Sequence, residues 1–479
     1  MIYLDFPSTE TIIDCNGKAF KKMKNLKTLI IKNGYLSKGA RHLPSGLRVL
    51  ELPRYRLGCI PFSISNKTFE KMKILKLNNC EHLTNISDVS CLPNLEIFSF
   101  KKCKNLISID ESIGFLDKLQ ILNAEGCDKL SSFPPLKLNS LQELELSCCT
   151  SLKKFPQILD KMNNINYITL RDTGIKEFPS SFQNLTKLHS LSIRGHGKLI
   201  FPCSILMMSN LSEVEIEGYS RLVTKPYDEL SSLLSSNVKE IFIETSKDKF
   251  LSVALTLFSN VETLNLSNSD IKILPECIKK CCFLKNIYLD GCIYLEEIRG
   301  IPPNLKRLSL GGDLLTSSSK SMLVNQELHE AGGTEFRFPS SQSELIPEWF
   351  EHQSRERSIS FSFRNNFPSL VFYFSFISMD EWFLELVSGL RVYFLINDYA
   401  YTLDVLKFGN PIDVLGEYTY IFSSDWKKWL ELGDYTPKGH PELKSMLDDA
   451  LLKNEWIHAE VEIVAYWNDD DDDDIVVES

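Results

Sequence analysis

The sequence predicts an α/β solenoid with a parallel inner sheet of about 13 repeats, followed by an all-β sandwich of jelly-roll or immunoglobulin-like type. Three observations predict it: a leucine-bearing phrase that recurs at a nearly fixed interval, a cysteine that often follows it at a fixed distance, and a switch to alternating aromatic runs from Phe336. At 479 residues and 43% hydrophobic the chain can bury a large core and exceeds one ordinary compact domain.

The phrase is apolar, two residues, apolar, one residue, apolar. Its first positions are Leu26, Leu47, Met72, Leu95, Leu119, Leu141, Ile165, Leu188, Leu211, Val238, Val261, Leu284 and Leu305. The interval of about 23 residues lies within the range of leucine-rich repeats. In Leu141-Gln-Glu-Leu144-Glu-Leu146, Leu144 and Leu146 are two apart and share one strand face, while Glu143, Glu145 and Ser147 take the other. One such strand cannot bury its leucines alone, so neighbouring repeats must stack side by side.

Cys80, Cys103, Cys127, Cys149 and Cys292 stand three residues after the phrase. A small buried thiol there can meet turn carbonyls, and the structural role outweighs reactivity or metal binding. The apolar-Pro steps Ile60-Pro61, Phe133-Pro134, Phe155-Pro156, Phe178-Pro179, Phe201-Pro202 and Leu274-Pro275 suit the outer side of each coil, since proline has no donor for a sheet. An array leaves apolar ends, and the stretch from Lys320 to Ala331 before Gly332-Gly333 reads as one short capping helix.

Beyond it the apolar period becomes 2, as in Ile359, Phe361 and Phe363, in Leu370, Phe372, Phe374 and Phe376, in Leu390, Val392, Phe394 and Ile396, in Tyr418, Tyr420 and Phe422, and in Val461, Ile463, Ala465 and Trp467. The expected organisation is a cap or hinge over 1–25, the repeats over 26–312, a capping helix and linker over 313–335, the sandwich over 336–468 and a disordered acidic tail over 469–479.

Charge and motif content narrow the chemistry. Of the net charge of −10, six negative charges belong to Asp469–Asp474, and the remainder is too balanced for a general nucleic-acid binder. No secretory signal or membrane-length apolar run is present, and an odd number of cysteines without C-x-x-C spacing suits a reduced, intracellular compartment. Phosphate-loop, dinucleotide, G-x-S-x-G and H-E-x-x-H motifs are absent, so no catalytic, cofactor or metal residue is assigned and no enzyme, nucleic-acid or membrane role is expected.

Solvent-facing strand positions offer the candidate contact residues. The early wall is basic, with Lys27, Lys32, Arg48, Arg54, Lys73, Lys76, Lys101 and Lys102 set against Glu51 and Glu96. The later wall is acidic, with Glu213, Glu215, Glu217, Glu240 and Glu244 against Lys239, and with Arg171 and Arg194 in the two preceding repeats. A solvated face selected for solubility competes with a docking surface that steers a basic partner.

Several phrases together carry a resemblance: Phe20-Lys-Lys-Met-Lys-Asn-Leu-Lys-Thr-Leu29, Leu43-Pro-Ser-Gly-Leu-Arg-Val-Leu50, Leu274-Pro-Glu-Cys-Ile278, Leu289-Asp-Gly-Cys292, Gly300-Ile-Pro-Pro-Asn-Leu305 and Ile346-Pro-Glu-Trp-Phe350. In this order they resemble the C-terminal half of plant TIR-type nucleotide-binding leucine-rich-repeat disease-resistance proteins, the last phrase resembling the start of the family's post-repeat jelly-roll domain. The resemblance implies recognition of pathogen effector proteins by the concave face of the repeats together with the C-terminal β-sandwich, in the cytoplasm and also in the nucleus. The TIR and nucleotide-binding domains are absent from this chain, so NAD cleavage and nucleotide binding are not carried over. A truncated receptor acting as a decoy and a repeat scaffold or adaptor without immune signalling are the alternatives.

Overall fold

The computed structural model describes residues 1–6, 11–13, 19–32, 34–36, 42–56, 58, 67–225, 236–245, 247–312, 314–330, 332–339 and 346–350, and the strands 358–363, 371–378, 387–396, 399–407, 416–423 and 457–467. The run Asp469–Asp474 lies outside the described residues. The chain forms two compact units, Met1–Asn265 with Lys280–Phe283, and Leu266–Lys279 with Leu284–Ser479.

In the first unit a strand opens two residues after the first apolar position of each phrase. Thr28–Lys32, Val49–Glu51, Ile74–Lys76, Ile97–Ser99, Ile121–Asn123 and Glu143–Glu145 pair in parallel, each with the next. Tyr167–Leu170, Ser190–Pro202, Glu213–Lys225, Glu240–Glu244 and Thr263–Asn265 follow the same rule. Leu29, Leu50, Leu75, Phe98, Leu122 and Leu144 stand in register and are buried, each contributing about 1.5–3 kcal/mol of apolar burial. A strand that no phrase announces, Ile2–Asp5, pairs in parallel with Thr28–Lys32 ahead of the first repeat.

Three spines tie the coils together. The thiols of Cys103, Cys127 and Cys149 donate to the carbonyls of Leu77, Phe100 and Ala124 in the preceding coil at 3.1, 3.3 and 3.2 Å. Burial pushes the Cys149 thiol up to about 12, so it stays protonated as the donor this contact needs. Asparagine supplies the second spine. The side-chain Nδ2 of Asn94, Asn164 and Asn210, each one residue before a phrase, donates to Glu70, Asn139 and Thr186 O at 2.9, 2.6 and 2.7 Å. On the outer side Phe155 stacks on Phe178 with centroids 5.5 Å apart, and Phe201 packs against Phe178 at a tilt of 55° and 5.4 Å.

The prolines behind these rings start short 3₁₀ turns, Pro179 before Ser180–Asn184 and Pro202 before Cys203–Met207. The strand that begins with the Leu188 phrase runs for 13 residues, Ser190–Pro202, and takes in the Phe201-Pro202 step expected outside the sheet; Pro202 is its last residue, so its missing donor interrupts nothing further along.

In the second unit Asn286–Leu289, Arg307–Leu310 and Glu335–Pro339 run parallel, and Cys292 donates to Leu266 O at 3.1 Å. The expected single capping helix is two helices, Ser317–Leu323 and Gln326–Glu330. Thr316 caps the first through Ser319 N–H, and the side chain of Asn325 accepts from Glu327 N–H, which starts the second and breaks the run between them. Glu335–Pro339 also pairs antiparallel with Gly416–Ser423, which pairs with Val371–Ser378. A separate antiparallel sheet has the order Ser358–Phe363, Ile457–Trp467, Val387–Ile396 and Tyr399–Lys407.

Where these elements meet, His329 is fully buried. Its Nδ1 is 2.8 Å from Thr334 Oγ1 and its Nε2 2.8 Å from Leu323 O, while Thr334 Oγ1 is 2.6 Å from Ser423 Oγ. Because Leu323 O can only accept, the proton belongs on Nε2, which leaves Nδ1 to accept from Thr334. Trp349 of the Ile346-Pro-Glu-Trp-Phe350 phrase donates to Val324 O at 2.9 Å and stacks on Phe350 at 3.9 Å, so the phrase anchors the chain to the end of the first helix.

Candidate functional site

Parallel pairing fixes which solvent-facing side chains become neighbours. Glu213 stands in register with Glu240 and Glu217 with Glu244, while Glu215 faces Phe242. Five carboxylates therefore occupy two adjacent strands, about 4.8 Å apart. Their environment is less uniform than the sequence reading has it. Arg194, in register with Glu217, places Nε 3.2 Å from its Oε2 and 3.7 Å from Asp172 Oδ1. Lys239, read as the single opposing charge, pairs with Glu262 just before the next strand.

The other candidates lie elsewhere on the same face. Lys76 pairs with Glu51 at 2.8 Å and Lys101 with Glu125 at 3.0 Å, and Lys73 with Glu96 completes a set of cross-strand pairs. Each is surface-exposed in part, so register and salt sensitivity matter more here than net stability. Arg171 is exposed just after Tyr167–Leu170, one strand before Arg194.

At Glu217 and Glu244 the wall dips into a cleft of about 290 Å³ lined by Asp172, Arg194, His196, Glu217 and Glu244 with backbone from Gly195 and Gly218. Local backbone creates it. Tyr219 stands at the position that is cysteine in five other repeats, is buried, and donates its hydroxyl to Ile175 O at 2.8 Å, two coils back. The ring needs room, and a Cβ on Gly195 would sit 2.5 Å from its oxygen. Gly218 has φ +76°, and a Cβ there would stand 2.3 Å from Gly195 O, so side chains are excluded from the floor.

Asp172 and His196 were not among the sequence candidates. The signal available for His196 was the run Arg194-Gly-His-Gly197, in which a glycine stands on either side of the histidine; nothing comparable marked Asp172. With three carboxylates and one guanidinium, the lining of this open cleft carries a net negative charge. Among the described residues no group of three or more His, Cys, Asp or Glu side chains is placed to hold a metal ion. Nor is any helix among them long and apolar enough to cross a membrane.

Residues 136–310 match a family model described as disease resistance protein RPS4B-like, leucine-rich repeats. The TMV resistance protein N of Nicotiana glutinosa is 26% identical over 180 residues, 33% of this chain and 16% of that protein. Disease resistance protein RPP2A of Arabidopsis thaliana is 37% identical over 108 residues, 22% of this chain and 8% of that protein. Disease resistance protein RRS1 of Arabidopsis thaliana is 26% identical over 366 residues, 68% of this chain and 26% of that protein. The chain thus spans a small part of the length of these relatives. Among solved structures, the functional domain of InlJ from Listeria monocytogenes shares 13% identity and a TM-score of 0.32, over 86% of this chain and 90% of that one. The resemblance of the repeats to plant TIR-type disease-resistance proteins, expected from the sequence, is borne out by the family model and these relatives.

Proposed function

We propose that this chain is the non-catalytic recognition module of an intracellular plant immune receptor, with about 13 repeats and a C-terminal β-sandwich, binding pathogen effector proteins in the cytoplasm. The similarity of residues 136–310 to the repeats of resistance proteins supports the defence role. The observation that carries the contact surface is the register of Glu213 with Glu240 and of Glu217 with Glu244, which sets carboxylates side by side on an open sheet face next to the cleft. Their potentials add within a Debye length and steer a basic patch, raising the association rate more than the final affinity.

The test is a binary interaction screen of the full chain against a library of pathogen effector proteins, followed by stopped-flow association of any binder. Changing Glu215, Glu217 and Glu244 together to Gln should slow association and flatten its salt dependence. An unchanged rate at low salt would remove the acidic wall from the interface.

A further inference from the structure

The basic half of the same face carries something the charges hide. The residue two after the start of each phrase is aliphatic in four consecutive repeats: Val49, Ile74, Ile97 and Ile121. Parallel register sets them side by side, Val49 against Ile74, Ile74 against Ile97, and Ile97 against Ile121. All four are half-buried on the solvent side, opposite the leucines of the core. Thr28 precedes the stripe and Glu143 ends it, beside a cleft of about 410 Å³ lined by Ile121, Gln142, Glu143, Asn164, Asn166 and Tyr167. Tyr167, beyond Glu143, is 57% exposed and shares that cleft with the side-chain amides of Gln142, Asn164 and Asn166.

The rim fixes the sign of what can lie there. Its carboxylates Glu51, Glu96 and Glu125 are each already paired, with Lys76, Lys73 and Lys101. Exposed cations on these strands and the turns after them, Lys27, Lys32, Arg48, Arg54 and Lys102, outnumber the carboxylates Glu143 and Glu145 on the strand beyond Ile121, although Lys32 lies over the Tyr3 ring. An acidic partner gains on both edges, and a basic one meets repulsion.

Spacing fixes the shape. Four strands at about 4.8 Å put the outer aliphatics about 14 Å apart. A helix laid across the strands presents anchors at i, i+3, i+7 and i+10 about every 5 Å, or about 15 Å in all, whereas an extended peptide presents same-face side chains about every 6.8 Å and falls out of step after two. We infer that Val49, Ile74, Ile97 and Ile121 form a docking stripe for an amphipathic helix of a protein partner, apolar on one face and acidic on its flanks. This rests on the reading of the open sheet face as a recognition surface and adds a second partner chemistry, opposite in sign to that of the glutamate wall.

The probe is a fluorescein-labelled, alanine-based helix of about four turns with Leu at i, i+3, i+7 and i+10 and Glu on both flanks, titrated by anisotropy with the full chain at low and high salt. Binding is expected that weakens with salt, falls at least about tenfold in Ile74→Ser/Ile97→Ser, and is unchanged when Glu215, Glu217 and Glu244 are changed to Gln. Val49→Thr/Ile97→Thr, which keeps a β-branched side chain at both positions, gives the same direction should the serine variant lose its fold by circular dichroism. No binding at low salt, or binding that survives both stripe variants, would overturn the inference. A helix with Lys in place of Glu, lost on the Gln variant and kept on the stripe variants, reads the glutamate wall separately.

Discussion

Tyr219→Phe isolates one atom of the cleft's foundation. The hydroxyl is buried and donates at 2.8 Å to Ile175 O, itself inaccessible, so the variant keeps the ring and strands a buried carbonyl. The expected loss is about 1–2 kcal/mol at neutral pH, a shift of roughly 0.3–0.7 M in the urea midpoint at a slope of about 3 kcal/mol/M. The same atom predicts a pH signature. Burial pushes the phenol up to about 12 from its ordinary value of 10. Between those values the unfolded chain releases the proton first, so the stability Tyr219 confers is complete below pH 10 and declines as pH rises through the folded value. At pH 11 about 1.4 kcal/mol of it is gone. The gap between wild type and Tyr219→Phe should therefore nearly close by pH 11. Urea titrations of both proteins from pH 8 to 11 check this; equal midpoints at pH 8, or a gap that stays constant, would refute the reasoning.

His329 is held neutral, its value lowered by burial despite the Leu323 carbonyl, so its contribution is full above the ordinary 6.5 and declines as pH falls below it. Thermal melting followed by tryptophan fluorescence should fall more steeply from pH 7 to 5 in wild type than in His329→Gln. Asn210→Asp replaces the donor to Thr186 O with an acceptor, and should cost more than Asn210→Ala, itself about 1 kcal/mol by denaturant unfolding. A colorimetric disulfide reagent should label exposed Cys282 quickly and reach Cys127, Cys149 and Cys292 only on unfolding, since these three are buried and held protonated. Gly218→Ala should distort the cleft and lower the melting temperature, because its backbone is left-handed and the added carbon meets Gly195 O.

The strands were legible because their core positions repeat with period 2 inside a longer period, and the cysteines because one small donor recurs at one offset. The asparagine spine was not, since Asn94, Asn164 and Asn210 read locally as turn residues and their partners lie about 24 residues away. Ile2–Asp5 lacks the phrase altogether and is a strand only through its neighbour Thr28–Lys32. The charged wall was legible as a list and not as a surface: sequence treats Lys239 and Arg194 as opposing charges in bulk, whereas register assigns them to Glu262 and to Glu217 with Asp172. The aliphatic stripe escaped for the same reason. Each residue sits at a solvent-facing position and gains meaning only when Val49, Ile74, Ile97 and Ile121 are lined up by pairing.

Carboxylate footprinting tests the central claim most directly, by labelling solvent-exposed Asp and Glu with a carbodiimide and an amine, with and without an effector protein recovered in the screen. If the sheet face is the recognition surface, Glu215, Glu217, Glu240 and Glu244 will lose labelling on binding, while Glu111 and Asp160 on the connecting turns will label as before. Protection of Glu111 and Asp160 with unchanged labelling of the four glutamates would contradict it.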